Sequence, residues 1–144
     1  MSTADGHIEE STAIITARSE AIVPKIGLVL GSGLSSFADR IDNPIIIPFG
    51  DLPGFPKPAV SGHEGRLVLG TVGGTSVATM QGRTHYYEAA DAEVMKVPIQ
   101  TLKSLGCEAV VLTNAAGSLN PNAGPGSVML ISDHINFMGV SPLF

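Results

Sequence analysis

Cysteine occurs once in the 144 residues, at Cys107. A single thiol forms no internal disulfide, and its place beside an apolar run predicts a buried structural role in a reducing compartment. Basic residues are scarce as well: eight Lys and Arg stand against thirteen Asp and Glu, a net charge of −5. That balance excludes the broad positive field a nucleic-acid polymer needs, while leaving room for a local anion site. No apolar run approaches the ~20 residues of a membrane span, and no basic segment leading into an apolar one opens the sequence. The expected setting is therefore cytoplasmic, without a membrane partner. Histidine and cysteine spacings match no metal site, so no metal is expected. Internal repeats and low-complexity stretches are lacking.

What is present describes a globular chain with a real core, since 44% of residues are hydrophobic and 15% charged. The length suits one domain or part of a larger one. Residues 1–24 are expected as an N-terminal helical segment. Within it, Met1 to His7 is expected to be loose. A helix is expected over Glu9–Val23, with Ile8, Ile15 and Ile22 plus Ile14 and Ala21 on one stripe, ended by Pro24. From residue 25 the pattern becomes α/β. Strands are expected at Ile26–Leu30, at Ile45–Phe49 (interrupted by Pro48), at Leu67–Gly70 and at Thr75–Met80, the last two joined through Gly73-Gly74 as a hairpin. Further strands are expected at Ala109–Leu112 and Ser127–Ile131. A short helix is expected over Leu34–Arg40. A longer one is expected over Asp91–Leu105, capped by Asp91, bent at Pro98 and stopped by Gly106.

Many of the 17 glycines fall at turns, and four glycine-bearing turns lie beside strand ends: 31–33, 61–65, 81–88 and 113–118. In α/β sheets ligand sites collect at such ends. Ile26–Leu30 runs straight into Gly31-Ser32-Gly33, a strand–turn–helix arrangement whose free backbone N–H groups suit an anion. The dinucleotide fingerprint would place glycine where Ser36 stands, although Asp51 lies at about the distance of a ribose contact. The Walker loop lacks its Gly-Lys-Ser/Thr ending, and the hydrolase elbow lacks its flanking glycines, since Leu30 and Leu34 occupy those positions. The turn is thus an anion binder of no standard nucleotide class, with a dinucleotide-binding module as one alternative.

The densest chemistry lies in Met80-Gln81-Gly82-Arg83-Thr84-His85-Tyr86-Tyr87-Glu88. Arg83 offers a planar fork for phosphate or carboxylate. His85, two residues on, points to the same side in extended backbone. Tyr86 and Tyr87 supply flat surfaces with polar tips, suited to a sugar or base. His63, between glycines before a strand, sits at a strand mouth. After Ala109–Leu112 the small residues Thr113-Asn114-Ala115-Ala116-Gly117 let backbone approach a ligand, while Asn114 can orient one.

Leu30-Gly31-Ser32-Gly33-Leu34, Gly62-His63-Glu64-Gly65-Arg66, Met80 to Glu88, Thr113 to Gly117 with Leu119-Asn120-Pro121, and Asp133-His134-Ile135-Asn136 occur in this order. Together, over roughly residues 26–140, they resemble the trimeric, inosine/guanosine-type purine nucleoside phosphorylases. Methylthioadenosine phosphorylase is similar too, but it usually carries threonine near Ser32 and lacks the Tyr-Tyr-Glu after the histidine.

The resemblance implies an α/β fold with a mixed central sheet flanked by helices. Residues 25–144 would then form the N-terminal part of a single domain, apparently truncated at about half the usual length. It implies reversible phosphorolysis of purine (2′-deoxy)ribonucleosides, with inorganic phosphate as co-substrate, no cofactor, and a homotrimer at full length. By carry-over, Arg83 and His85 are the catalytic residues, and Ser32, His63, Arg83, Thr84, His85 and Ala115 hold phosphate. Tyr87, Asn114 and Ala115 face the ribose or nucleoside, and Glu88 orients His85 or Arg83. The family's purine-recognising residues lie later than Phe144, so base preference stays open. A non-catalytic phosphate-binding fragment is the alternative from another class.

Overall fold

In the computed structural model, which describes residues 2–56, 65–137 and 139–141, the expected mixed sheet is formed by five strands. They are β1 (Ile26–Leu30), β2 (Asp42–Pro48), β3 (Arg66–Val72), β4 (Thr75–Gln81) and β5 (Ala109–Leu112), in the spatial order β2-β3-β4-β1-β5. β1 runs parallel to both β4 and β5, whereas β3 is antiparallel to β2 and β4. The Gly73-Gly74 hairpin forms as expected, with Val72 opposite Thr75. β2 starts three residues earlier than expected, with an irregularity between Asp42 and Ile45, and Phe49 leaves it for a short 3-10 helix, Phe49–Asp51.

Alternation along the strands gives the sheet two unlike faces. Val29, Ile47, Leu67, Leu69, Ala78 and Met80 pack with Ile15, Leu102 and Leu105, so the main core lies beneath the two long helices. Leu30, Val68 and Val77 face the other way, against Ala38 and Ile41 of the 3-10 helix Ser35–Arg40 and its end. That helix matches the expected short one, in tighter form.

Helix α1 (Thr3–Arg18) begins well before the expected Glu9. The Ser2 hydroxyl accepts from the Asp5 N–H at 3.2 Å and the Asp5 carboxylate accepts from the Ser2 N–H at 2.9 Å. This reciprocal cap satisfies two orphan donors and makes the polar opening helical. Hydrogen bonds from Ser2, first its backbone N–H and then its side chain, hold the Asp5 carboxyl below its ordinary range. The helix stops at Arg18, short of Pro24, because Glu20 and Ala21 turn to positive φ. Ile22 therefore leaves the expected stripe, and Ile15 is the fully buried contact.

After β4 come the single turn α2 (Tyr86–Ala89) and helix α3 (Lys96–Ser104). Asp91 does not cap α3; its carboxylate accepts from the Glu93 N–H at 2.8 Å, closing a turn ahead of the helix. With the later start, Pro98 falls in the first turn, where a missing N–H costs no intrahelical bond, so no bend is required. The end is as expected: the Gly106 N–H donates to Lys103 O and the Cys107 N–H to Leu102 O, a Schellman pair.

The strand expected at Ser127–Ile131 does not form. Val128, Met129 and Leu130 are almost fully exposed and make no strand pairing among the described residues. Apolar, β-branched composition favours a strand only where a neighbouring edge is available to bond. β5 does form, but Val110, Val111 and Leu112 remain exposed at the sheet margin.

Candidate anion site at the strand ends

Because β4, β1 and β5 are parallel neighbours, their carboxyl ends finish side by side. Leu30 lies opposite Gln81, and Val29 opposite Leu112. The turns 31–33, 82–85 and 113–116 thus leave one edge of the sheet. Antiparallel β3 begins there too, with Arg66 opposite Gln81. His63 and most of the 61–65 turn lie outside the described residues, but the chain entering at Gly65 approaches the same edge.

Contacts between these turns are specific. The Gly31 N–H donates to the Thr113 hydroxyl at 2.8 Å, and that hydroxyl donates to Val29 O at 3.0 Å. A Cβ on Gly31 would stand 2.6 Å from Thr113 O and 2.9 Å from Asn114 Cα, so only glycine lets the two turns touch. On the other side, the Arg83 guanidinium donates to Thr113 O. Gly82, at φ 116°, makes the bend that carries Arg83 off the end of β4. The Arg83 partner is a neutral carbonyl, so the bond orients the fork without cancelling its charge, and among the described residues it is the one side-chain bond of Arg83, whose guanidinium carries five N–H donors.

His85 follows as the residue before α2. Its backbone N–H donates to Glu88 Oε1 at 2.8 Å, while the Glu88 N–H donates to His85 O at 3.0 Å. Glu88 thus holds His85 through the backbone and does not reach Arg83 with any described bond. The Tyr87 ring stacks on the imidazole, with centroids 5.1 Å apart and planes 9° from parallel, and is otherwise largely exposed. Thr84 Oγ1, between Arg83 and His85, is buried and has no hydrogen-bond partner among the described residues. Ser32, Asn114 and Ala115 are exposed on their turns.

Three residues that stand within the sequence motifs, but were given no role of their own there, support this edge. Arg66 Nε donates to Gln81 Oε1 at 2.6 Å, and Gln81 Nε2 donates to Ser35 O at 3.0 Å, tying β3, β4 and the segment after Gly33 together. Thr113 is the third. Asp51, the feature that kept a dinucleotide reading open, is engaged elsewhere: Arg18 meets its carboxylate at 2.6 Å. Among the described residues no cluster could hold a metal ion, and no helix is long and apolar enough to cross a membrane. Two surface hollows are lined by other residues, one by Ala92, Glu93, Asn136 and Val140, another by Ile99, Lys103, Cys107 and Val110 at the opposite end of β5.

A mixed α/β sheet with an arginine, a histidine and glycine turns at the carboxyl ends of parallel strands defines an α/β protein with polar side chains at the edge where such sheets gather ligands. A family profile narrows the class: that of the Phosphorylase superfamily matches residues 25–144, and the chain belongs to that superfamily. It is 52% identical over 120 residues to purine nucleoside phosphorylase 1 of Bacillus subtilis, covering 83% of this chain and 44% of that protein. Among solved structures it is similar to a purine nucleoside phosphorylase in complex with ribose 1-phosphate (TM-score 0.76, 38% identity, 86% of this chain and 46% of that one). It is likewise similar to the Schistosoma mansoni enzyme in complex with inosine (TM-score 0.74, 37% identity, 85% of this chain and 43% of that one). The chain spans less than half the length of these relatives.

Proposed function

We propose that this chain carries the phosphate- and ribose-binding part of a purine nucleoside phosphorylase. In this reading residues 25–144 are the N-terminal part of one phosphorylase domain, with 1–24 as a helical segment before it. Phosphate sits over the 31–33 turn, held by Ser32, Arg83, Thr84, His85, the backbone of Ala115, and His63. Tyr87 and Asn114 face the ribose. The observation that carries the reading is the meeting of Arg83 with both glycine turns through Thr113, in a chain similar to purine nucleoside phosphorylases. The hydroxyl of Thr84, buried and without a partner among the described residues, supports it, since such a group is costly unless a ligand engages it.

The chemistry follows from the charges. Phosphate attacks the anomeric carbon as the purine leaves, through a sugar with oxocarbenium character. Fixing phosphate beneath that carbon replaces a bimolecular encounter with an oriented one, worth about several kcal/mol. Its negative charge also favours the positive sugar of the transition state. Arg83 and His85 therefore position the nucleophile, and no covalent protein intermediate is needed. Inorganic phosphate is the second substrate. The resemblance extends to a homotrimer of the full-length protein in a cytoplasmic setting, the first checkable by sedimentation.

The test is hypoxanthine release from inosine by this chain, with and without phosphate, alongside phosphate binding by titration. Phosphate-dependent release upholds the whole reading, and Arg83→Ala then strongly raises the phosphate concentration required. Binding of phosphate without release supports the anion site alone, as a non-catalytic fragment. No phosphate binding overturns the reading.

A further inference from the structure

The geometry points to Thr113 as a positioning residue that locks the phosphate turn and the arginine into one unit, an inference that rests on the anion-site reading above. Thr113 is 82 residues from Gly31 and 30 from Arg83, yet it bonds both. Its hydroxyl stands between two backbone groups of the β1 end, accepting from the Gly31 N–H at 2.8 Å and donating to Val29 O at 3.0 Å. Both capacities of the hydroxyl used here are filled, so its orientation is fixed. Its own backbone carbonyl accepts from the Arg83 guanidinium.

Two consequences follow. First, the Gly31 N–H is spent on Thr113, which leaves the amides of the following residues, Ser32 and Gly33, to face an anion. The Thr113 hydroxyl thereby sets the orientation of the turn. Second, the position of the Arg83 fork is tied to that turn through a single residue, so displacement of one moves the other. A methyl in place of the hydroxyl would leave the Gly31 N–H and Val29 O without their side-chain partner at a close-packed contact. It would let the turn rotate while preserving the shape of the β5 end. Serine would keep the hydroxyl.

The experiment measures inorganic phosphate affinity of wild type, Thr113→Val, Thr113→Ser and Thr113→Ala. Amide hydrogen exchange at Gly31 is followed in the same proteins without ligand. The expected result is a three- to tenfold weaker phosphate Kd for Val and Ala, in keeping with loss of about one hydrogen bond, with faster exchange at Gly31. Serine should restore both to near wild type. A merely structural threonine would instead show weakening that tracks lost volume, with Ser as poor as Ala and Val close to wild type. That pattern, or a Val variant with unchanged Kd and unchanged Gly31 exchange, overturns the inference while leaving the anion site standing. Should Val fail to fold, the Ser–Ala pair decides by the same rule. Wild-type protein that binds no phosphate overturns the anion site and this inference together.

Discussion

The Glu88 carboxylate and the His85 backbone form a closed pair: Glu88 Oε1 accepts the His85 N–H at 2.8 Å, and His85 O accepts the Glu88 N–H at 3.0 Å. The acid therefore fixes where the imidazole starts from, and the stacked Tyr87 ring limits how it tilts. Removing the carboxylate in Glu88→Ala should weaken phosphate binding roughly three- to tenfold, the loss of one positioning hydrogen bond. Glu88→Gln retains a carbonyl acceptor and should lie close to wild type. Calorimetric titration with phosphate separates the two, and equal losses for Ala and Gln would mean that negative charge, rather than the hydrogen bond, is what matters.

Gly31 offers a sharper test of the edge. A Cβ there would lie 2.6 Å from Thr113 O and 2.9 Å from Asn114 Cα, both backbone atoms that cannot swing aside. Gly31→Ala must therefore push the β1 and β5 ends apart and stretch the bond from Gly31 to the Thr113 hydroxyl. The expected cost is about 1–3 kcal/mol in urea unfolding, with phosphate binding lost or severely weakened. Gly50→Ala is the control, since its Cβ would meet open space. It should change stability by no more than about 0.5 kcal/mol. Similar behaviour of the two variants would show that the turns do not touch in solution.

How far the sequence reveals this architecture depends on the range of the forces involved. β1 and the β3–β4 hairpin are legible because short apolar runs and paired glycines are local signals, and both form where expected. Arg83, His85 and Glu88 are legible as a group because they are close along the chain. The start of α1 is not, since its cap uses Asp5 where the usual box has Glu or Gln, and polar residues read as loose until the reciprocal bonds are seen. The segment Ser127–Ile131 misleads for the opposite reason. Its composition suits a strand, but a strand is a property of two segments, and this one has no neighbour among the described residues. Thr113, Gln81 and Arg66 escape notice because their partners lie 15 to 84 residues away.

Cys107 provides a pH-dependent test of how the far margin of the sheet is closed. The Schellman turn at the end of α3 directs it inward: its N–H donates to Leu102 O, and its sulfur lies 3.6 Å from where a Gly27 Cβ would be. Burial disfavours the thiolate and pushes the thiol from an ordinary 9.0 up to about 11. The folded protein then holds this proton more tightly than the unfolded chain does. The stabilising contribution is complete below about 9 and is lost as pH rises towards 11. Native protein should accordingly react slowly with iodoacetamide at pH 8, accelerating only between about 9 and 11, whereas urea-unfolded protein should accelerate around 9. Mass-spectrometric rates across this range give both curves. A native curve that coincides with the unfolded one would mean that the α3–β5 corner opens faster than alkylation. The exposed β5 strand beside it would then be the place where unfolding begins.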